Sequence, residues 1–186
     1  MKKLLTILSI VLAFGFITNI SAAELGLKAI APQVGLVMPE DPWDTGFHVG
    51  AKANMGELTE GLGLYPYVGY WSSGYSYSYL AASEDISLSN IQIGADAHYH
   101  LADVEGLYFG GGVSLNFLKM DIPTVDPFTG QATTISDSNT EFGIGLLAGY
   151  ELPIGSNLGF VQGKYNIISD FNTLELTVGI YFKTGK

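Results

Sequence analysis

From residue 91 to residue 100 the chain alternates. Ile91, Ile93, Ala95, Ala97 and Tyr99 occupy one parity, and Gln92, Gly94, Asp96, His98 and His100 the other. A helix would scatter those apolar side chains around its circumference, whereas a strand sets them all on one face. The same period of two runs through Phe47, Val49, Ala51, Ala53 and Met55, through Phe142, Ile144, Leu146, Ala148 and Tyr150, and through Leu174, Leu176, Val178, Ile180 and Phe182. Leu147 is out of phase with its neighbours. Four weaker segments, Leu25 to Val37, Leu62 to Trp71, Leu107 to Leu118 and Leu158 to Ile167, bring the predicted count to eight strands. The first has mixed parity around Pro32, which predicts a bulge or an early strand end there.

The connections also alternate. Those near Thr59 to Gly61, Ala102 to Gly106 and Pro153 to Asn157 are short; those near Pro39 to Thr45, Ser72 to Asp85, Lys119 to Asn139 and Ser169 to Asn172 are longer or richer in acids. An even number of antiparallel strands, short turns at one end and long loops at the other is the pattern of a membrane-spanning barrel whose short turns face the periplasm. The predicted fold is therefore all-β, an eight-stranded antiparallel up-and-down transmembrane β-barrel.

Alternation alone also fits a secreted barrel with its apolar parity turned inward around a ligand. The polar parity separates the two. In water it would be densely charged; here it is rich in glycine, with Gly50, Gly69, Gly94, Gly110, Gly112, Gly143, Gly145, Gly149 and Gly179. Glycine in a strand costs roughly 0.5–1 kcal/mol relative to Ala, a cost that makes sense where Trp71, Tyr108 or Tyr181 need room inside a narrow tube. Lys52, Lys164 and Lys183 share that inward parity with Asp96, Glu141, Glu151 and Glu175, and buried charges need partners. A lumenal charge network of Lys52, Asp96, Glu141, Glu151, Lys164 and Glu175 follows. The outward aromatics agree. Phe109 and Phe117 lie eight residues apart on one strand, as do Phe142 and Tyr150 on the next. At about 3.3 Å per residue and a tilt near 40°, that separation spans about 20 Å, close to the height of a lipid-facing band. Phe47, Tyr70, Phe117 and Phe142 are predicted to form the loop-side girdle, and Tyr99, Phe109, Tyr150 and Phe182 the turn-side girdle.

Composition narrows the partners. Only 14% of the 186 residues are charged, against roughly 25% in an average soluble domain, and the mean hydropathy is +0.28. With 47% hydrophobic residues the chain lacks the signature of disorder. The 18 acids face 8 lysines and no arginine, a balance that excludes nucleic acid as a partner. The absence of cysteine removes disulfide scaffolds, thiolate zinc sites, thiol catalysis and an acylated N-terminal cysteine. Residues 1–23 read as a secretory signal: Lys2 and Lys3, then the apolar run Leu4 to Ile20, then the small residues Ser21, Ala22 and Ala23. Cleavage after Ala23 is predicted, leaving a barrel domain at 24–186 whose formal charge, without Lys2 and Lys3, falls from −10 to −12. No later apolar run has comparable length, so a membrane-embedded mature chain must cross with strands.

The signal segment, the strand opening Ile91-Gln92-Ile93-Gly94-Ala95, the Gly110-Gly111-Gly112 strand and the closing Leu176 to Phe182 together resemble the small eight-stranded outer-membrane β-barrel family of Gram-negative bacteria. The transmembrane domain of outer-membrane protein A is its familiar relative. The resemblance implies an outer-membrane location amid lipid and lipopolysaccharide. It also implies insertion by the barrel-assembly machinery, with Phe182 as the terminal aromatic that the machinery reads. Wall anchoring is not implied, because the chain stops where that relative continues into a peptidoglycan-binding domain.

Candidate chemistry is sparse. His98 and His100 lie two apart at the turn end of their strand and His48 at the loop end of its own, too far apart for a joint metal site. A lipid-modifying hydrolase could be drawn from His48, Asp44 and Ser72, Ser73 or Ser76, yet no Gly-x-Ser-x-Gly elbow, Walker loop or His-Glu-x-x-His appears. Tyr75, Tyr77 and Tyr79 would line one face of an extended strand and offer a contact strip for sugar, lipopolysaccharide or protein, or pack against the loop at Lys119 to Asn139. The expected function is non-enzymatic and needs no cofactor: envelope structure and contact with an unknown surface ligand through acidic, aromatic loops. A narrow pore and a lipid-A-modifying enzyme are the alternatives.

Overall fold

The computed structural model describes residues 25–79, 82–125, 130–169 and 171–184. The predicted signal segment 1–23 with its cleavage point, and the loop acids Asp126 and Asp170, lie outside the described residues, as do the side chains of Tyr77, Tyr79, Glu84 and Asp85. Among the described residues nine strands follow one another: β1 (Ala29–Pro39), β2 (Gly46–Asn54), β3 (Glu57–Thr59), β4 (Leu62–Tyr79), β5 (Ala82–His100), β6 (Leu107–Val125), β7 (Ala132–Ile154), β8 (Asn157–Ile168) and β9 (Phe171–Lys183). Each pairs antiparallel with its neighbours, and β1 pairs with both β2 and β9, so the sheet closes on itself. β2 and β3 both lie along β4 and form one interrupted stave. The nine strands thus make the eight staves of a closed up-and-down barrel.

The interruption is local. At Gly56 the backbone takes a positive φ of 88°, and its N–H is held by the Asn54 side chain at 2.8 Å. Its neighbour Met55 still donates to Leu64 O at 2.9 Å, so the stave kinks without detaching. No such irregularity occurs at Pro32, where one was expected. β1 keeps a single register from Ala29 to Val37 against β2, and the pairs with β9 on either side of Pro32 share that register. The mixed parity there arises because small apolar side chains, Ala29 and Ala31, face the lumen.

Along the central part of every stave the outward parity is apolar and exposed, as with Val68, Ile93, Val113, Leu146 and Val178, while the inward parity is buried and mostly polar. The outer surface is the one that hydrocarbon covers. The lumen is filled in layers. At the turn end Ala29, Ala31, Tyr65, Phe160 and Tyr181 form an apolar cluster. At the loop end Val37, Trp71 and Leu88 form a second, with Trp43, Leu118, Met120 and Phe171 packed on it. Charged and amide side chains lie between them.

β4 to β7 are much longer than the alternation predicts. β4 and β5 remain paired out to Tyr79 and Ala82, and β6 and β7 out to Val125 and Ala132. Most of the two long loops expected there is therefore strand. At about 3.3 Å per residue and a tilt near 40°, β4 rises roughly 20 Å past Tyr70.

Candidate functional site

The two ends of the polar lumen differ in chemistry. Near the turns, the ring of His98 stacks between Tyr65, at 3.9 Å, and Tyr108, at 4.6 Å, while Phe160 and Tyr181 rings meet at 5.2 Å. Glycine makes this possible. Gly149 lies directly opposite Tyr108 in the β6–β7 register, and a Cβ there would come within 2.3 Å of the tyrosine ring. Gly179 leaves the same kind of space for Phe160, and Gly94 for Tyr67. These three inward glycines are thus seats for aromatic rings. Gly149→Val is expected to cost about 1–3 kcal/mol by overpacking, measured by urea unfolding in detergent micelles. Tyr108→Leu in the same chain should recover much of it.

Above the rings lies the charged layer. Lys164 Nζ sits 2.7 Å from Asp96 Oδ1 and donates to Tyr67 Oη at 2.8 Å, with both partners of the ion pair buried. Lys52 donates to Gln162 Oε1 at 2.7 Å and lies 4.2 Å over the Phe160 ring, and Gln92 donates to Glu175 Oε1 at 2.9 Å. The six expected network members are therefore not one network. Glu151 lies at the turn end, 3.6 Å from His100, and Glu141 lies at the loop-side mouth, where Asn139 donates to it. Among the described residues only Lys164 and Asp96 of the six form a direct ion pair.

His48 is buried with its ring against Gly69, and the Ser73 hydroxyl donates to the backbone carbonyl of Asp44. Among the described residues no three His, Asp or Glu side chains converge as metal ligands do. All eight girdle residues, Phe47, Tyr70, Tyr99, Phe109, Phe117, Phe142, Tyr150 and Phe182, lie on the outer surface. Phe47 and Tyr70 rings stand 6.2 Å apart, and Tyr99 faces Phe109 across β5–β6. Tyr165 also lies there; the sequence pattern did not single it out because its strand is one of the weakly alternating ones.

Beyond the loop-side girdle the outward face changes character at one height on β4 to β7, and on β5 and β6 the inward face changes with it, while on β7 it stays polar at Glu141, Asn139 and Asp137. The outward parity passes from Val68, Tyr70, Ile91 and Phe117 to Ser72, Ser87, Ser89, Lys119, Asp121, Ser136 and Ser138. The inward parity passes from Gln92, Asn90 and Asn116 to Leu88, Ile86, Leu118, Met120 and Ile122. An apolar outer face beside a polar lumen suits hydrocarbon, and a polar outer face beside an apolar inner one suits water. The switch marks the membrane boundary. On the polar outer face Lys119 donates to Asp121 at 2.8 Å and Ser136 also donates to it, which holds that carboxyl below its ordinary range.

A short lid closes the mouth. Between β1 and β2, Trp43 packs on the loop-end cluster and meets the Tyr75 ring edge-on at 6.5 Å, and Asp44 N donates to Gly74 O at 2.9 Å. Tyr75 shares the inward parity of Trp71 and leans over the mouth.

The sequence matches the family described as outer membrane protein β-barrel domain over residues 9–182. Among solved structures the chain is similar to neisserial surface protein A at 16% identity, with 83% of this chain and 96% of that one covered and a TM-score of 0.51. It is also similar to the attachment invasion locus protein Ail of Yersinia pestis at 13% identity, with 85% and 99% covered and a TM-score of 0.48. The N-terminal β-barrel domain of Pseudomonas aeruginosa OprF aligns at 13% identity over 84% and 99%, with a TM-score of 0.39. At such identities the likeness to neisserial surface protein A is one of fold. No curated protein matches the sequence.

Proposed function

Because the chain belongs to the outer membrane protein β-barrel domain family, we propose that it is a non-enzymatic integral protein of the outer membrane that works through its water-exposed hairpins and not through its lumen. The closed lumen carries this reading. Tyr65, Tyr108, Phe160 and Tyr181 fill one end and Trp71, Val37 and Leu88 the other, each buried. An eight-stranded barrel has an interior just wide enough for side chains to fill. What remains available to the surroundings is the four-strand extension of β4 to β7, which carries polar groups outward on every strand. Outer-membrane lipid and lipopolysaccharide surround the apolar band, the barrel-assembly machinery reads Phe182 during insertion, and the segment 1–23 is removed on export.

Planar-bilayer recording of the refolded chain tests this. The expected trace is silent at moderate voltage. Steady ohmic openings would make the lumen a pore and overturn the reading. Loss of an acyl chain from lipid A, abolished by His48→Ala, would overturn the non-enzymatic part.

A further inference from the structure

The two sides of the water-exposed extension end differently. Along β4 the outer edge is short beyond Ser72, and the β1–β2 lid already bonds to it through Asp44 and Gly74. Along β7 it is long. β8 begins to pair only at Gly143 with Ile168, so among the described residues no strand lies beside β7 from Ala132 to Phe142 on that side. Eleven residues at about 3.3 Å each leave roughly 36 Å of backbone edge.

Such an edge is a template for another strand, and proteins usually blunt it with lysine, proline or a bulge. Residues 132–142 contain no lysine, proline or glycine, and their register against β6 is unbroken. The edge-side donors are identifiable. Ser138 N–H and Thr140 N–H turn back to Asp137 Oδ1 and Asn139 Oδ1, each at 2.9 Å, so even-numbered residues point their N–H groups away from β6. Thr134 and Ser136 share that phase. The side chains beside the edge are also incomplete: Ile135, paired with Ile122 on the inward face, is 59% exposed. A strand laid along β7 would cover it.

We propose that the β7 edge at Ala132–Phe142 is a strand-addition site for an extended segment of another protein, one that alternates apolar and polar residues and carries a cation in register with Asp137. This rests on the reading that the hairpins stand in water. Charge selects the occupant. Asp137 and Glu141 are the charged residues of the edge and have the same sign, so a second copy of this chain laid antiparallel would bring carboxylates together. A lysine or arginine on a foreign strand would complement them. Main-chain pairing supplies the affinity and alternate side chains the selectivity.

The test uses the full chain refolded in detergent micelles and a fluorescent peptide of about ten residues, threonine alternating with valine and one lysine in a valine position. Saturable binding is expected, weakened at least about tenfold by Ser136→Pro, which removes an edge-side donor while sparing the β6 ladder. Asp137→Lys should weaken the lysine peptide and favour a glutamate counterpart, and it decides the matter where the proline variant loses its heat-dependent gel shift. Absence of saturable binding, or binding that both variants leave unchanged, overturns the proposal. Dimerisation of the native chain that Ser136→Pro abolishes assigns the edge to a second copy and equally overturns it. The gel shift and the bilayer recording report on the barrel and its lumen, so failure of the peptide titration alone leaves the wider reading standing.

Discussion

Lys164→Met is expected to lower the unfolding free energy by about 3–5 kcal/mol, the cost of leaving a buried carboxylate without its cation. Asp96 is enclosed by the lumen, and its ion-pair partner is the ammonium 2.7 Å away. The same ammonium meets Tyr67 Oη at 2.8 Å, so its loss also frees a buried hydroxyl. Lys52 does not substitute, because its own contact is Gln162. The control is the double variant Lys164→Met with Asp96→Leu, which removes both charges and should return most of the lost stability, since replacing a buried ion pair with apolar groups is often neutral or better. Tryptophan fluorescence of Trp43 and Trp71 during urea unfolding in lipid vesicles reads both variants. A single-variant loss below about 1 kcal/mol would mean that water, and not Lys164, compensates Asp96.

The second large effect concerns which surface meets lipid. Leu146 lies midway between Phe142 and Tyr150 on β7 and is the most exposed of the large apolar residues there, at 61%. Leu146→Arg places a guanidinium at the bilayer midplane and is expected to cost about 2–4 kcal/mol. Ser138→Arg puts the same group on the same face of the same strand, above the aromatic girdle, and should change stability by less than about 0.5 kcal/mol. The comparison holds strand, face and side chain constant and varies only depth. Equal effects in refolding titrations into vesicles would contradict the membrane boundary placed between Phe142 and Thr140.

The central staves were legible in the sequence because lipid and lumen make opposite demands on adjacent residues. Ile91 to Tyr99 and Leu174 to Phe182 carry that signal without interruption, and the structure turns their apolar parity outward. The upper halves of β4 to β7 were not legible. At Ser72, Ser89, Lys119 and Thr140 the outward face turns polar, and on β5 and β6 the inward face turns apolar, so a strand that continues looks like a loop rich in serine and acids. The ring seats were half visible: the glycine parity could be read, but the pairing of Gly149 with Tyr108 depends on a register that one strand alone does not contain. Likewise Lys164 and Asp96 are 68 residues apart, and only barrel closure brings them together.

The interchange of oily and hydrophilic sides also fixes which way up the finished protein stays. Inversion, or withdrawal toward the periplasm, would drag Lys119, Asp121, Asp137 and a row of hydroxyls through hydrocarbon at once, and every unsatisfied polar group there costs several kcal/mol. The compact turns on the opposite side are shorter and carry acids of their own at Glu60, Asp103 and Glu105. Once the barrel is in place, the arms that reach outward double as anchors that oppose its withdrawal.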